Sequence, residues 1–200
     1  MFATTEVRWF YEGKLPDPVA DWFYHFNPVI QQPRTDYYLN FTERARVGIK
    51  LREENIQIKT RISAFESLRY LLNVAGEAAK YERWSFPVVG NEEWITLINR
   101  PDVWIPVKKM RRMMRFTLDG GYPDQIEMEE SADNGCEVEL SQVEVTGKAY
   151  WSLAFESFGP TAEVNLEKTV WDIFENQACP VSFEKERSFG YARLIHEMKN

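Results

Sequence analysis

Residues 46–62, RVGIKLREENIQIKTRI, alternate with a period of two. Val47, Ile49 and Leu51 point one way, and Lys50 and Arg52 the other. Beyond a turn at 53–55, Ile56, Ile58 and Ile62 share a side, and Gln57, Lys59 and Arg61 share the opposite one. Successive side chains of a strand project to opposite faces, so this stretch reads as a β-hairpin with one apolar and one ionic face. Four cations on one face of a hairpin repel one another. In a chain of net charge −7 that face needs a counter-charge or a ligand.

The pattern recurs. In 107–116, Lys109, Arg111 and Arg115 share a face, with Lys108 and Arg112 on the other. Gln125, Glu127 and Glu129 oppose Ile126 and Met128, and Glu137 and Glu139 oppose Val138 and Leu140. Ser152, Ala154 and Glu156 oppose Leu153 and Phe155. An antiparallel sheet with one wet face gives this alternation without any ligand. A closed barrel gives it too, with the apolar faces outward beneath helices and the ionic faces turned into a lumen. Such a lumen suits a polyanion, because guanidinium forks pair bidentately with phosphate oxygens and lysines neutralise them as point charges. Its carboxylates suit a divalent metal shared with phosphate oxygens.

The other segments place these strands. Residues 4–11 alternate, with Val7, Trp9 and Tyr11 opposite Glu6, Arg8 and Phe10. Pro16 and Pro18 open a short helix carrying Val19, Trp22, Phe23 and Phe26. Residues 34–41 and 103–118 read as strands, GGYPD as a turn and QIEMEE as the hairpin partner that follows it. CEVELSQVEV and YWSLAFESF form a hairpin around Gly147. Helices are expected at 64–80, where Ser63 and Glu66 make a capping box, at 91–100, over AEVNLEKTVWDIFENQ, and near the C-terminus. The 200 residues read as one α+β domain of eight or nine strands on an antiparallel sheet or barrel.

Several function classes recede. Two cysteines, Cys136 and Cys179, make no disulfide framework or zinc spacing, and the N-terminus carries no signal-peptide pattern. A cytoplasmic protein with free thiols is expected, without a membrane partner, since no apolar run reaches the ~20 residues of a bilayer span. The acidic balance argues against a general nucleic-acid binder, and KKMRR lacks an aromatic platform, so no nucleic-acid partner is expected. His25 and His196 have no catalytic companion at a telling distance, and acids beside Cys136 disfavour a thiolate. The methionines of MRRMM and the tryptophans at 22, 94, 151 and 171 read as packing residues. No glycine-rich phosphate loop is present.

In order along the chain, TEVRWF, GIKLREENIQIKTR, KKMRRMMRF, GCEVELSQVEVTGKAYWSLAFES and ERSFGYARLI together resemble the CYTH-like superfamily, the triphosphate tunnel metalloenzymes that include thiamine triphosphatases. The resemblance covers most of the chain. It implies an eight-stranded antiparallel tunnel with helices packed outside. It implies a metal site, for which Glu6, Glu139 and Glu156 are the remaining candidates for Mg²⁺ or Mn²⁺, and with the lumen reading it leads to phosphate on Arg8, Lys50, Arg52, Lys59, Arg61, Lys109, Arg111 and Arg115. The family's first-strand E-x-E-x-K motif is incomplete: Glu6 is kept, Arg8 replaces the second glutamate and Phe10 the lysine. In the closing strand Ala154 replaces another glutamate. Lost ligands and an added guanidinium weaken metal binding.

The expected function is therefore binding of a phosphorylated small molecule or polyphosphate in a basic lumen, with hydrolysis weak, altered or absent. A working Mg- or Mn-dependent triphosphatase is the first alternative. A structural or partner-binding barrel neutralised by its own Arg–Glu pairs is the second.

Overall fold

The computed structural model describes residues 2–40, 46–63, 66–88 and 90–198. Its elements run β1 (Phe2–Glu12), α1 (Asp17–Tyr24), β2 (Val29–Ile30), β3 (Arg34–Leu39), β4 (Val47–Arg52) and β5 (Asn55–Arg61). They continue with β6 (Glu66–Leu71), β7 (Val74–Pro87), α2 (Asn91–Ile98), β8 (Trp104–Thr117), β9 (Asp124–Ile126), β10 (Gly135–Val145), β11 (Lys148–Phe158), α3 (Ala162–Asn176) and α4 (Tyr191–Glu197).

Eight strands close a barrel in the order β1-β11-β10-β8-β3-β4-β5-β7, with β7 returning to β1. Every one of these pairings is antiparallel. Of the short strands, β6 pairs with β7, and β2 and β9 pair with β8. The opening hairpin, β4–β5, turns at Glu53 and Glu54, both at positive φ (49° and 59°). That is what a two-residue turn needs to match strand twist.

Alternation decides what each face of the wall meets. The outward residues Val7, Trp9, Val138, Leu140, Leu153 and Phe155 form one core with Val19, Trp22 and Phe23 of α1 and Leu166, Val170 and Ile173 of α3. Trp22 stacks on Phe174 at 5.5 Å, pinning α1 to α3. Each such side chain taken from water contributes about 1.5–3 kcal/mol. Trp9 is fully buried there and donates its indole N–H to Ala75 O at 2.8 Å.

A second apolar cluster lies inside. Inward residues Phe10, Tyr38, Ile105, Val107, Val143, Val145 and Tyr150 pack against Phe189, Leu194 and Ile195. Phe10 stacks on Phe189 at 5.4 Å, and Tyr38 on Tyr191 at 5.3 Å. Phe189 N donates to Arg8 O (2.9 Å) and Glu77 N donates to Ser188 Oγ (2.8 Å), which fixes the segment leading into α4. The C-terminal segment thus stoppers one end of the barrel with aromatic rings.

The helix expected at 64–80 is a correction: 66–71 and 74–87 are strands. Residues 64 and 65 lie outside the described residues. Leu68, Leu72, Ala75 and Ala79 fall at helical spacing, but Gly76 and Ala78 serve close approach instead. Val74, Gly76 and Ala78 turn toward Trp9 and Val7, and tertiary packing overrides local propensity. Ser63, expected to cap that helix, accepts from Lys80 N at 2.9 Å. A Cβ on Gly76 would lie 2.6 Å from Trp9 Cζ2 and 2.7 Å from Val7 Cγ2. Gly76→Ala is expected to destabilise by about 1–3 kcal/mol through overpacking. Urea denaturation checks this, and an unchanged midpoint would contradict the packing described.

Candidate functional site

Above the aromatic stopper the barrel encloses a cavity of about 170 Å³. The space is large enough for several waters or one small polyanion. Register explains who lines it. Gly48 faces Lys59, Lys50 faces Gln57 and Arg52 faces Asn55, so the hairpin's cations are staggered rather than opposed. On the other side Glu6, Glu156 and Glu137 form one row across β1, β11 and β10. Arg8, Ala154, Glu139 and Met113 form the next.

Of the eight cations anticipated from sequence, Arg8, Lys50, Arg52, Lys59, Lys109 and Arg111 line this cavity. Arg61 and Arg115 are not on its wall. Arg61 sits in register with Tyr81 near the far end of β5. Arg115 donates to Met128 O at 3.0 Å and lies 3.9 Å from Glu137. Glu6, Glu139 and Glu156 all line it. So do Arg34, Arg46, Arg83 and Arg193 and the rings of Tyr38, Tyr81 and Tyr191, none of which was singled out. Arg34 and Tyr38 alternate within RTDYYL and could have been read as inward. Tyr191 could not, since only the docking of α4 puts it there.

Two electrostatic halves can be distinguished. In the first, Arg8 Nε donates to Glu6 Oε1 at 2.9 Å, and Nη1 to Glu139 Oε1 at 2.8 Å and Ser152 Oγ at 3.2 Å. Lys59, on β5, reaches past β7 to bond Glu6 and lies 3.2 Å from Glu156. Burial alone would raise the Glu6 carboxyl, but Lys59 and Arg8 overcome it and hold it down to about 2. Burial would likewise raise Glu139, and Arg8 and Lys109 hold it well below the usual carboxylate range. Glu137 is pushed up by burial and by Glu156, against Arg115.

In the second half, Asp36 of β3 is fully buried beneath three cations. Its Oδ2 takes Lys109 at 2.8 Å and Lys50 at 3.0 Å, and Arg34 Nε lies 3.2 Å from Oδ1. Lys109 also meets the face of Tyr191 at 3.7 Å and the Tyr38 hydroxyl at 3.1 Å. Burial and the neighbouring Lys50 push the Lys109 ammonium down to about 7 despite Asp36. Burial, with Arg52 and Arg34 nearby, lowers Lys50 to about 8.

The carboxylates anticipated as metal ligands are thus already bonded to cations. Among the described residues no group of three or more His, Cys, Asp or Glu side chains is arranged to hold a metal ion. A divalent ion on Glu6 and Glu156 would have to displace Lys59 and lie beside the Arg8 guanidinium, so the donors as placed do not fit one.

No family model matches the chain, and no curated protein matches it. Among solved structures, it is similar to a conserved hypothetical protein from Pyrococcus furiosus. The two share 16% identity over 94% of this chain and 99% of that one, with a TM-score of 0.48. It is also similar to the PH1012 protein of Pyrococcus horikoshii OT3, at 15% identity over 96% and 98% of the two chains and a TM-score of 0.49. No helix among the described residues is long and apolar enough to cross a membrane.

Proposed function

We propose that the barrel cavity binds the phosphate groups of a phosphorylated small molecule or a polyphosphate, with little or no hydrolysis. The observation that carries this reading is the charge of the wall. Among the described residues ten cationic side chains line the cavity against four carboxylates, in a chain whose overall charge is −7. A cleft follows its nearest charges rather than the total, and its low-dielectric wall focuses their field. An anion entering it gains charge-assisted hydrogen bonds that water at the same place cannot match.

Membership of the CYTH-like superfamily belongs to this proposal. The closed eight-stranded barrel agrees with the tunnel that the resemblance implies, and the ionic lumen agrees with its substrate class. Hydrolysis is the weaker part, because Mg²⁺ or Mn²⁺ catalysis would require Glu6, Glu139 and Glu156 to exchange their cations for metal. Calorimetric titration of the full chain with inorganic triphosphate at physiological salt tests the binding. Saturable heat without phosphate release is expected. Absence of heat from folded protein would favour a barrel neutralised by its own ion pairs.

The reading also sets a pH dependence. The charged groups around Lys109 are Asp36, Lys50, Arg34 and Glu139, with the hydroxyls of Tyr38 and Tyr191. Lys109 is partly neutral near pH 7, and a bound anion favours its charged form, so binding takes up protons. Affinity for sulfate, whose charge does not change over this range, is expected to fall by about threefold to tenfold between pH 6.5 and 8.5. Titration in buffers of different ionisation heat should reveal the proton uptake. A flat profile would place the anion away from Lys109.

A further inference from the structure

The two halves of the cavity are unequal. Around Glu6, Glu139 and Glu156, acids and bases are nearly matched, and Arg8 spends its nitrogens on two carboxylates and a hydroxyl. Between β3, β4 and β8 the balance is different. Arg34, Lys50, Arg52 and Arg111 converge over the single buried carboxylate of Asp36, which Lys109 shares. Two further acids approach them among the described residues: one is Glu53, an exposed turn residue 3.2 Å from Arg52 and 3.8 Å from Arg34, and the other is Glu139. Arg111 stands 3.7 Å from Glu139.

Hydrogen bonding tells the same story. Arg34 Nε and Nη1, Arg52 Nε and Arg111 Nε are buried and make no hydrogen bond among the described residues. Arg34 Nε is close to Asp36 Oδ1, but neither atom makes a bond of normal geometry. Buried N–H groups of guanidinium ions are costly to leave without an acceptor. The guanidinium groups of Arg34, Arg52 and Arg111 and the Lys50 ammonium line one cavity, and such cations match phosphate oxygens. The position a metal would need, by contrast, is already taken by Lys59 and Arg8.

We propose that the anion seats on a cradle of Arg34, Lys50, Arg52 and Arg111, above Asp36, and that it is taken up in its metal-free form. This rests on the phosphate-binding reading and locates it. Lys59 and Arg8 then supply built-in positive charge beside the acidic row, where a metal-dependent site would recruit a divalent ion. The class of ligand follows. A phosphate group not sequestered by Mg²⁺ is preferred over the Mg²⁺ chelate, because the chelate brings added positive charge toward cations that already outnumber their acids.

The test is calorimetry of the full chain with inorganic triphosphate, in buffer with EDTA and in buffer with Mg²⁺. It uses wild type, Arg52→Gln, Arg111→Gln and Lys108→Ala. Lys108 lies on the outward face of the same strand and pairs with Glu144, so it removes one charge outside the lumen. Affinity in EDTA is expected to equal or exceed that in Mg²⁺. Each cradle variant should lose about tenfold or more, the loss of charge-assisted bonds, and Lys108→Ala should stay within about twofold. Circular dichroism melts establish folding, and if Arg111→Gln fails to fold, the more accessible Arg52→Gln carries the test. Binding that requires Mg²⁺ overturns the metal-free claim, and undiminished binding in the cradle variants overturns the location. Both results leave phosphate binding intact. No heat from folded wild type in either buffer removes the cradle and the phosphate reading together.

Discussion

Asp36→Asn is expected to cost the fold about 3–5 kcal/mol at pH 7, the range for stripping the partner from buried charge. Asp36 is the carboxylate under Arg34, Lys50 and Lys109, and it is fully buried. Burial raises its carboxyl, but Lys109, Lys50 and Arg34 prevail and hold it well below the usual range. Asparagine keeps the shape and loses the charge. The two lysines can respond by shedding protons, whereas Arg34 cannot, so the variant retains one buried guanidinium without its acid. The sign of the pH dependence follows. Lys109 at about 7 and Lys50 at about 8 already lie below their ordinary value of 10.5, so the unfolded chain binds more protons and stability rises with pH. Without Asp36 both fall further, and Asp36→Asn should gain stability more steeply than wild type from pH 6 to 9. Urea unfolding at several pH values measures it. A variant within about 1 kcal/mol of wild type at pH 7 would mean that Asp36 does not hold these cations.

Arg8→Met should be of similar size, about 3–5 kcal/mol at pH 7, with the opposite pH signature. The guanidinium bonds Glu6 at 2.9 Å and Glu139 at 2.8 Å and lies over the Tyr191 ring at 5.0 Å. Methionine replaces the stem and leaves Glu6 to Lys59 and Glu139 to Arg111 at 3.7 Å. In wild type, Glu6 is held at about 2 against an ordinary 4.5. A depressed carboxyl contributes stability that is complete above its unfolded pKa and is lost as pH falls through the folded one. Wild type therefore loses this contribution between about pH 4.5 and 2. The variant, its carboxylates nearer their ordinary values, has less to lose, and the gap between the two proteins should shrink from pH 7 to pH 3.5. An equal gap at both values would assign the cost to packing alone.

Much of this architecture is legible from alternation. The period of two in β4, β5, β8, β10 and β11 marks five walls of the barrel and, at the level of the cavity, sorts their residues into outward apolar and inward ionic sets, while the inward Ile105, Val107, Val143 and Val145 below it are apolar. The same signal is absent from 74–80, where small residues packed on Trp9 leave only a helix-like spacing. Alternation also says nothing of height. Arg61 and Arg115 share a face with Lys59 and Arg111, yet lie off the cavity wall, because position along the barrel axis is set by strand stagger.

What the residues determined alone was local: which runs extend, which faces carry charge, and where Arg8, Phe10 and Ala154 depart from a metal-binding pattern. Which charge meets which was decided by closure. Pairing β7 with both β5 and β1 sets Lys59 on Glu6, and seating β3 between β4 and β8 places Asp36 under three cations. Docking the C-terminal segment floors the cavity with Tyr191. Arg34 is a near neighbour of Asp36 in sequence, but Lys50 and Lys109 are 14 and 73 residues from it, and Lys59 is 53 from Glu6. A periodic pattern carries no information over such distances, since it records the face a side chain takes and not the strand that will stand opposite.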